Sequence, residues 1–164
     1  MTPQDLVLTP RGLRFLGRTF PAAIGRGGIT ADKREGDGAT PRGCHRIVGM
    51  LYRPDRCAAP ACWARPILPG DLWSDDPQDP AYNSAVRAPH RFSHEALRRP
   101  DPLYDIILTT DWNWPRAIAG RGSAIFLHIW RKPRHPTEGC IAFRRDALVW
   151  IAARIQPGTR LIVP

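Results

Sequence analysis

Apolar residues in this chain never run for long. Eighteen prolines and fourteen glycines divide 164 residues, and the apolar segments between them are strand-sized, such as Ile106-Ile107-Leu108 and Ile125-Phe126-Leu127. Proline interrupts helices and central ladders, and both residues mark turns. The punctuation predicts a mostly β, β-rich α+β domain with mixed sheets and a few short helices, not a helical bundle. One helix is clear. Within Arg144–Ile155 the residues Leu148, Ile151, Ala152 and Ile155 recur at helical spacing, and Pro157-Gly158 stops it.

The remaining elements follow from the same reading. Strands are expected at Asp5–Leu8 and Gly12–Leu16 around a Thr9-Pro10-Arg11 turn, with a third starting in Thr19–Ile24. Ala31–Gly43 reads as a loop, His45–Tyr52 as a core strand, and Arg53–Ala88, rich in Pro, Asp and Trp, as an ordered excursion over the sheet. Ser93–Arg99 is expected to form a short helix with Ser93 as N-cap. Tyr104–Thr110, Ala124–Trp130 and Thr159–Val163 complete the strands. In Ala124–Trp130 alternation sets Ile125, Leu127 and Ile129 on one face and Phe126, His128 and Trp130 on the other. There is no internal repeat, and residues 1–164 read as a single domain.

The formal charge is +9, mostly from arginine. The basic residues are scattered from Arg11 to Arg160 without a dense run interleaved with aromatics, so nucleic acid is not an expected partner. Arginine suits bidentate recognition of carboxylates. No apolar run reaches transmembrane length. Met1–Ala23 lacks a basic start followed by an apolar core, so no secretory signal is visible.

Four cysteines are present: Cys44, Cys57, Cys62 and Cys140. Cys57 and Cys62, with Cys44-His45 nearby, offer no tightly spaced second pair, so no metal is expected. A Cys57–Cys62 disulfide and free thiols both remain open.

Cys140 differs from the other three in its surroundings. Thr137-Glu138-Gly139-Cys140-Ile141-Ala142-Phe143 sets it on a small-residue turn, after a β-like segment and ahead of the predicted helix. Such a turn aims peptide N–H groups at a developing oxyanion, and a helix N-terminus favours a negative sulfur. A histidine within reach can take the thiol proton. His128, twelve residues earlier, ends an apolar strand that would hold a base rigidly. His135 lies in the irregular Pro133-Arg134-His135-Pro136 loop and is left as a substrate contact or a solvent-facing residue. His45, His90 and His94 fall on strand, loop or helix segments. Lys33–Gly43 is glycine-rich but lacks the order of a phosphate-binding loop.

Taken in order, Lys33–Gly43, with its Thr40-Pro41-Arg42-Gly43 turn, Gly122–His128 and Thr137–Phe143 resemble the YkuD-type L,D-transpeptidases, the cysteine enzymes that cross-link peptidoglycan. Asp71–Pro77 and Tyr82-Asn83 match the compact members of that family, and the resemblance runs from about Gly25 to the C-terminus. It implies the YkuD-like catalytic fold and a Cys140 nucleophile working through a thioester. His128 would be the general base, oriented by a backbone carbonyl, and Gly139 and Cys140 would donate to an oxyanion. No cofactor is implied. The implied partners are peptidoglycan stem peptides of the diaminopimelate type, bound by a monomer, in a role in wall synthesis and cell shape. That role places the protein in the periplasm or cell wall. The absence of a visible leader keeps the cytoplasm as the alternative.

Trp73, Tyr82, Asn83, Arg87, Thr137, Glu138 and Arg144 are the expected substrate contacts, with Arg87 first among the arginines. The chain departs from the commoner family pattern twice. Glu138 stands where many members have a histidine, and Ala142 stands where many have an arginine or asparagine. The substrate-holding arginine must then come from elsewhere, with Arg87, Arg144 and Arg145 as candidates. Two other functions remain open: a cysteine L,D-carboxypeptidase or endopeptidase that trims stem peptides, and a non-catalytic peptidoglycan-binding module.

Overall fold

A computed structural model describes residues 1–164. The chain opens with β1 (Leu6–Thr9), β2 (Gly12–Phe15), β3 (Arg18–Phe20) and β4 (Ala22–Ala23), followed by β5 (Ile29–Thr30) and β6 (Thr40–Pro41). The long β7 (Gly43–Tyr52) leads into β8 (Arg65–Pro66), β9 (Asp71–Ser74), β10 (Ala85–Arg87) and β11 (His94–Ala96). A single 3-10 turn, Pro102–Tyr104, precedes β12 (Ile106–Thr110), β13 (Phe126–Ile129) and β14 (Ile141–Phe143). The helix α1 (Arg145–Ala152) and β15 (Arg160–Val163) close the chain.

The main sheet runs β3-β2-β1-β15-β7-β12-β13-β14-β4, with β8 added along β7. Its two ends, β3 and β4, are separated in sequence by Pro21 alone, which curls the sheet nearly shut. β1 pairs in parallel with β15, and β13 with β14; the other neighbours along that path are antiparallel. A second sheet of order β10-β9-β11 is built from the excursion and the segment just after it.

Strand alternation divides the core into two layers. Ile106 and Leu108 of β12 and Leu127 and Ile129 of β13 join one layer, which α1 completes with Ala147, Leu148, Ile151 and Ala152. Ile155, four residues beyond Ile151, is buried in the same layer. The opposite face carries Ile107 and Phe126, covered by Ile67, Leu97 and Tyr104. Burying one such aliphatic side chain contributes about 1.5–3 kcal/mol, so the helical spacing of apolar residues in α1 is what seats it. Cys140 packs on the second layer, on the face away from α1.

The mostly β class and the single clear helix are as expected. The expected helix at Ser93–Arg99 is instead the strand β11, paired antiparallel to β9 with Glu95 opposite Trp73. Seven residues give an isolated helix little stability, and the exposed edge of β9 offers them a ladder. All four cysteines are free thiols; the Cys57 sulfur lies 3.5 Å from the carbonyls of both Arg53 and Asp105. No helix is long and apolar enough to cross a membrane.

Candidate active site

β13 and β14 run side by side, with His128 opposite Ala142. This parallel pairing brings His128 and the residue just before β14, Cys140, to one end of the sheet. Both line a cleft of about 350 Å³ with Glu95, Arg99, Leu103, Tyr104, Trp130, Arg131, His135, Pro136, Thr137 and Glu138.

Thr137, Glu138 and Gly139 are held by two crossing segments. Thr137 bridges to Gly25 in parallel, its N–H donating to the Ile24 carbonyl and its carbonyl accepting from the Arg26 N–H. The Thr40 hydroxyl accepts the Gly25 N–H at 2.9 Å and donates to the Gly139 carbonyl at 2.9 Å. The Thr137 hydroxyl donates to the Cys140 carbonyl at 2.6 Å and accepts the Gly139 N–H at 3.2 Å. Gly139 has φ +134, and a Cβ there would lie 2.8 Å from the Ala39 carbonyl oxygen. Only glycine meets both conditions without strain.

The Cys140 thiol donates to the Ala124 carbonyl at 3.1 Å, and its sulfur accepts the Phe126 N–H at 3.4 Å. Burial pushes its pKa up to about 12, and the charge on Glu95 adds to the rise. His128 is 6% exposed, and burial pushes its pKa down to about 4. Both groups are therefore neutral at rest. The His128 Nδ1 lies 2.8 Å from the carbonyl oxygen of Ile129. A carbonyl only accepts, so the proton is on Nδ1 and the Nε2 lone pair is left free. The Tyr104 ring meets the His128 ring edge-on at 5.4 Å and fixes its plane. The Tyr104 hydroxyl donates to Glu95 at 2.5 Å.

Of the two N–H groups expected to face an oxyanion, that of Cys140 makes no hydrogen bond within the protein, whereas that of Gly139 is engaged by Thr137. The expected setting of Cys140 at a helix N-terminus is corrected: β14 and Arg144 intervene before α1 begins at Arg145. The helix dipole, confined to the first turn, does not act on the sulfur.

Cys140, His128, Gly139, Thr137 and Glu138 are brought together, while five of the expected substrate contacts stand off the cleft surface. Trp73 lies behind it, edge-on to Phe126 at 5.0 Å. Tyr82 is buried and donates to Glu35. Asn83 is 4% exposed and accepts the Ala124 N–H at 3.0 Å and the Trp73 indole N–H at 3.1 Å. Arg87 pairs with Asp71 at 2.7 Å and Arg144 with Asp146 at 2.5 Å, both outside the cleft. Arg145, the third candidate arginine, pairs with Asp105.

Sequence reasoning passed over Glu95, Arg99, Tyr104 and Arg131. Glu95 was hidden by the expected helix, and the others carry no local motif. No group of three or more His, Cys, Asp or Glu side chains is gathered as a metal would need.

Residues 5–163 match the model of the YkuD L,D-transpeptidase catalytic domain. The match begins twenty residues before Gly25 and takes in β1, which pairs with β15 in the main sheet. Comparisons with curated proteins and with solved structures gave no significant match. The chain belongs to the YkuD L,D-transpeptidase catalytic-domain family, whose members act on peptidoglycan.

Proposed function

We propose that this protein is an L,D-transpeptidase that cross-links peptidoglycan stem peptides through a thioester on Cys140. The observation that carries the reading is the His128 ring. Its Nδ1 proton is committed to the Ile129 carbonyl, so a free Nε2 lone pair shares a cleft with the thiol.

In the first half-reaction the Cys140 thiol leaves the Ala124 carbonyl and turns toward His128. Sulfur attacks the carbonyl carbon of the donor amide as its proton passes to Nε2. The unengaged Cys140 N–H points to where the oxyanion would be stabilised. Collapse of the tetrahedral intermediate breaks the C–N bond, and the imidazolium returns its proton to the departing amine. A thioester and a neutral imidazole remain. In the second half-reaction an acceptor amine attacks the thioester, gives up a proton to Nε2, and the regenerated thiol leaves with it.

Because both groups are neutral at rest, the thiolate forms as the substrate arrives and not before. A buried neutral thiol is also protected from idle oxidation. Action on the wall places the protein in the periplasm or cell wall.

Mass spectrometry of purified muropeptides incubated with the protein tests the reading. Cross-linked dimers are expected, with an acyl adduct on Cys140 during turnover. Cys140→Ala should form neither. His128→Gln should lower the rate by on the order of 10²–10⁴-fold, and His135→Gln far less. Trimmed stem peptides as the sole product would make the protein a carboxypeptidase. Turnover by Cys140→Ala would end the assignment.

A further inference from the structure

Two of the cleft's four fixed charges are paired within the protein. Arg99 is held bidentately by Asp101 at 2.9 and 2.7 Å. Glu138 is paired with Arg26 at 2.8 Å. Two charged groups are left over. Glu95 receives only the Tyr104 hydroxyl and has no ion-pair partner. Arg131 is exposed, lines the same cleft and makes no ion pair. The charge of Arg131 acts on Asp101, but that carboxylate is already held by Arg99.

One uncompensated acid and one uncompensated base beside a proposed nucleophile match a ligand that carries both charges on one carbon. Building on the transpeptidase reading, we propose that Glu95 and Arg131 form the acceptor subsite of an amino-acid end on the acceptor side chain, Glu95 receiving the ammonium and taking one of its protons so that the neutral amine attacks the thioester, and Arg131 holding the carboxylate. The second amine proton passes to His128 Nε2, and Glu95 returns its own to solvent when the product leaves. Such an end is what a diaminopimelate residue presents and what a lysine residue lacks.

Local electrostatics agree. Burial holds the Glu95 carboxyl above the usual carboxylate range; the Tyr104 hydroxyl and the charge of Arg99 oppose the rise, and the charges of Asp75 and Glu35 add to it. A carboxyl so raised accepts a proton readily, and a proton is what an incoming ammonium must lose before it attacks. Arginine's planar fork suits a carboxylate at the exposed rim. With Ala142 in the place of the common family arginine, Arg131 supplies a guanidinium from a different strand end.

The test separates the two half-reactions. A tetrapeptide muropeptide serves as donor, and two tripeptide muropeptides serve as acceptors, one with diaminopimelate at the third position and one with lysine. Acyl-enzyme formation is read by intact mass, and the partition between cross-linking and hydrolysis by chromatography. Wild type should favour the diaminopimelate acceptor. Arg131→Ala should shrink that preference about tenfold or more, and Arg131→Lys should keep part of it. Glu95→Gln should raise the acceptor KM for both about tenfold or more and divert the thioester to water, with acylation changing far less. Glu95→Asp, which keeps the charge, gives the same readout should Glu95→Gln fold poorly. Acyl-enzyme that forms in every variant, with wild-type acceptor KM and preference, would overturn the subsite alone. No acyl adduct on wild-type Cys140 would overturn the transpeptidase reading and the subsite with it.

Discussion

Asn83 accepts the backbone N–H of Ala124 at 3.0 Å, and Ala124 is the residue whose carbonyl holds the Cys140 thiol at 3.1 Å. A buried amide in the excursion thus sets the strand end on which the proposed nucleophile rests. All four hydrogen-bonding capacities of Asn83 are used: Oδ1 also takes the Trp73 indole, and Nδ2 donates to the carbonyls of Trp112 and Asn113 at 3.0 Å. Its φ of 56 suits asparagine better than most residues. Asn83→Ala would leave buried donors and acceptors unmet, each costing about 1–3 kcal/mol. The expected loss is about 3–5 kcal/mol, read as a lower Tm and a shifted urea midpoint. A variant within about 0.5 kcal/mol of wild type would show that Ala124 is held by the strand alone.

Reactivity toward alkylating reagents should follow burial. Cys44 and Cys62 are exposed, whereas Cys140 is half-buried and its thiol is pushed up to about 12. Since only the thiolate reacts, iodoacetamide at neutral pH should label Cys44 and Cys62 well before Cys140. Peptide mapping over a pH series should show Cys140 lagging until the solution is strongly alkaline. Rapid labelling of Cys140 at pH 7 in the free protein would mean that the thiolate is preformed.

Stability should depend on pH in a way that His128 makes specific. Its folded pKa is lowered from 6.5 to about 4 by burial. Below 6.5 the unfolded chain binds a proton that the folded one does not, so stability present above that value is lost as pH falls from 6.5 toward 4. At 1.36 kcal/mol per unit the total loss is about 3 kcal/mol. Urea titrations at pH 7 and pH 4.5 would measure it, and His128→Gln should remove this component of the slope. An unchanged slope would place the buried histidine in a more solvated setting than the structure gives it.

Periodicity made the chassis of this protein legible. Alternation across Ala124–Trp130 sorted Leu127 from Phe126 correctly, and Leu148, Ile151 and Ala152 gave the buried stripe of α1. Local chemistry also singled out Gly139-Cys140. What stayed hidden depends on segments far apart in sequence. The link from Thr40 to Gly139 spans 99 positions. Glu95 enters the cleft only because its segment pairs with β9, an outcome that helix propensity over seven residues did not foresee. Arg87 looked available for substrate until its Asp71 partner, 16 positions away, was in view. Ion pairing decides which arginines are free, and pairing is a property of the fold.

Gly139→Ala brings these threads to one atom. The added Cβ would sit 2.8 Å from the Ala39 carbonyl oxygen and 3.3 Å from the Ile125 Cδ1, on a backbone with φ +134. The carbonyl belongs to a backbone tied on either side, through the Thr40 hydroxyl to Gly25 and Gly139, so it cannot retreat cheaply. Holding a non-glycine residue in this region costs about 1–3 kcal/mol before the clash is counted. The turn would relax instead, moving the Cys140 N–H and sulfur relative to His128. A misplacement of about 1 Å can cost on the order of 10²-fold in rate. The expected result is a folded but less stable protein whose cross-linking rate falls at least that far, with its circular dichroism retained. Thr40→Val, which removes the hydroxyl link but adds no clash, should show the same direction at smaller size. Wild-type turnover by Gly139→Ala would show that the turn carries no part of the catalytic geometry.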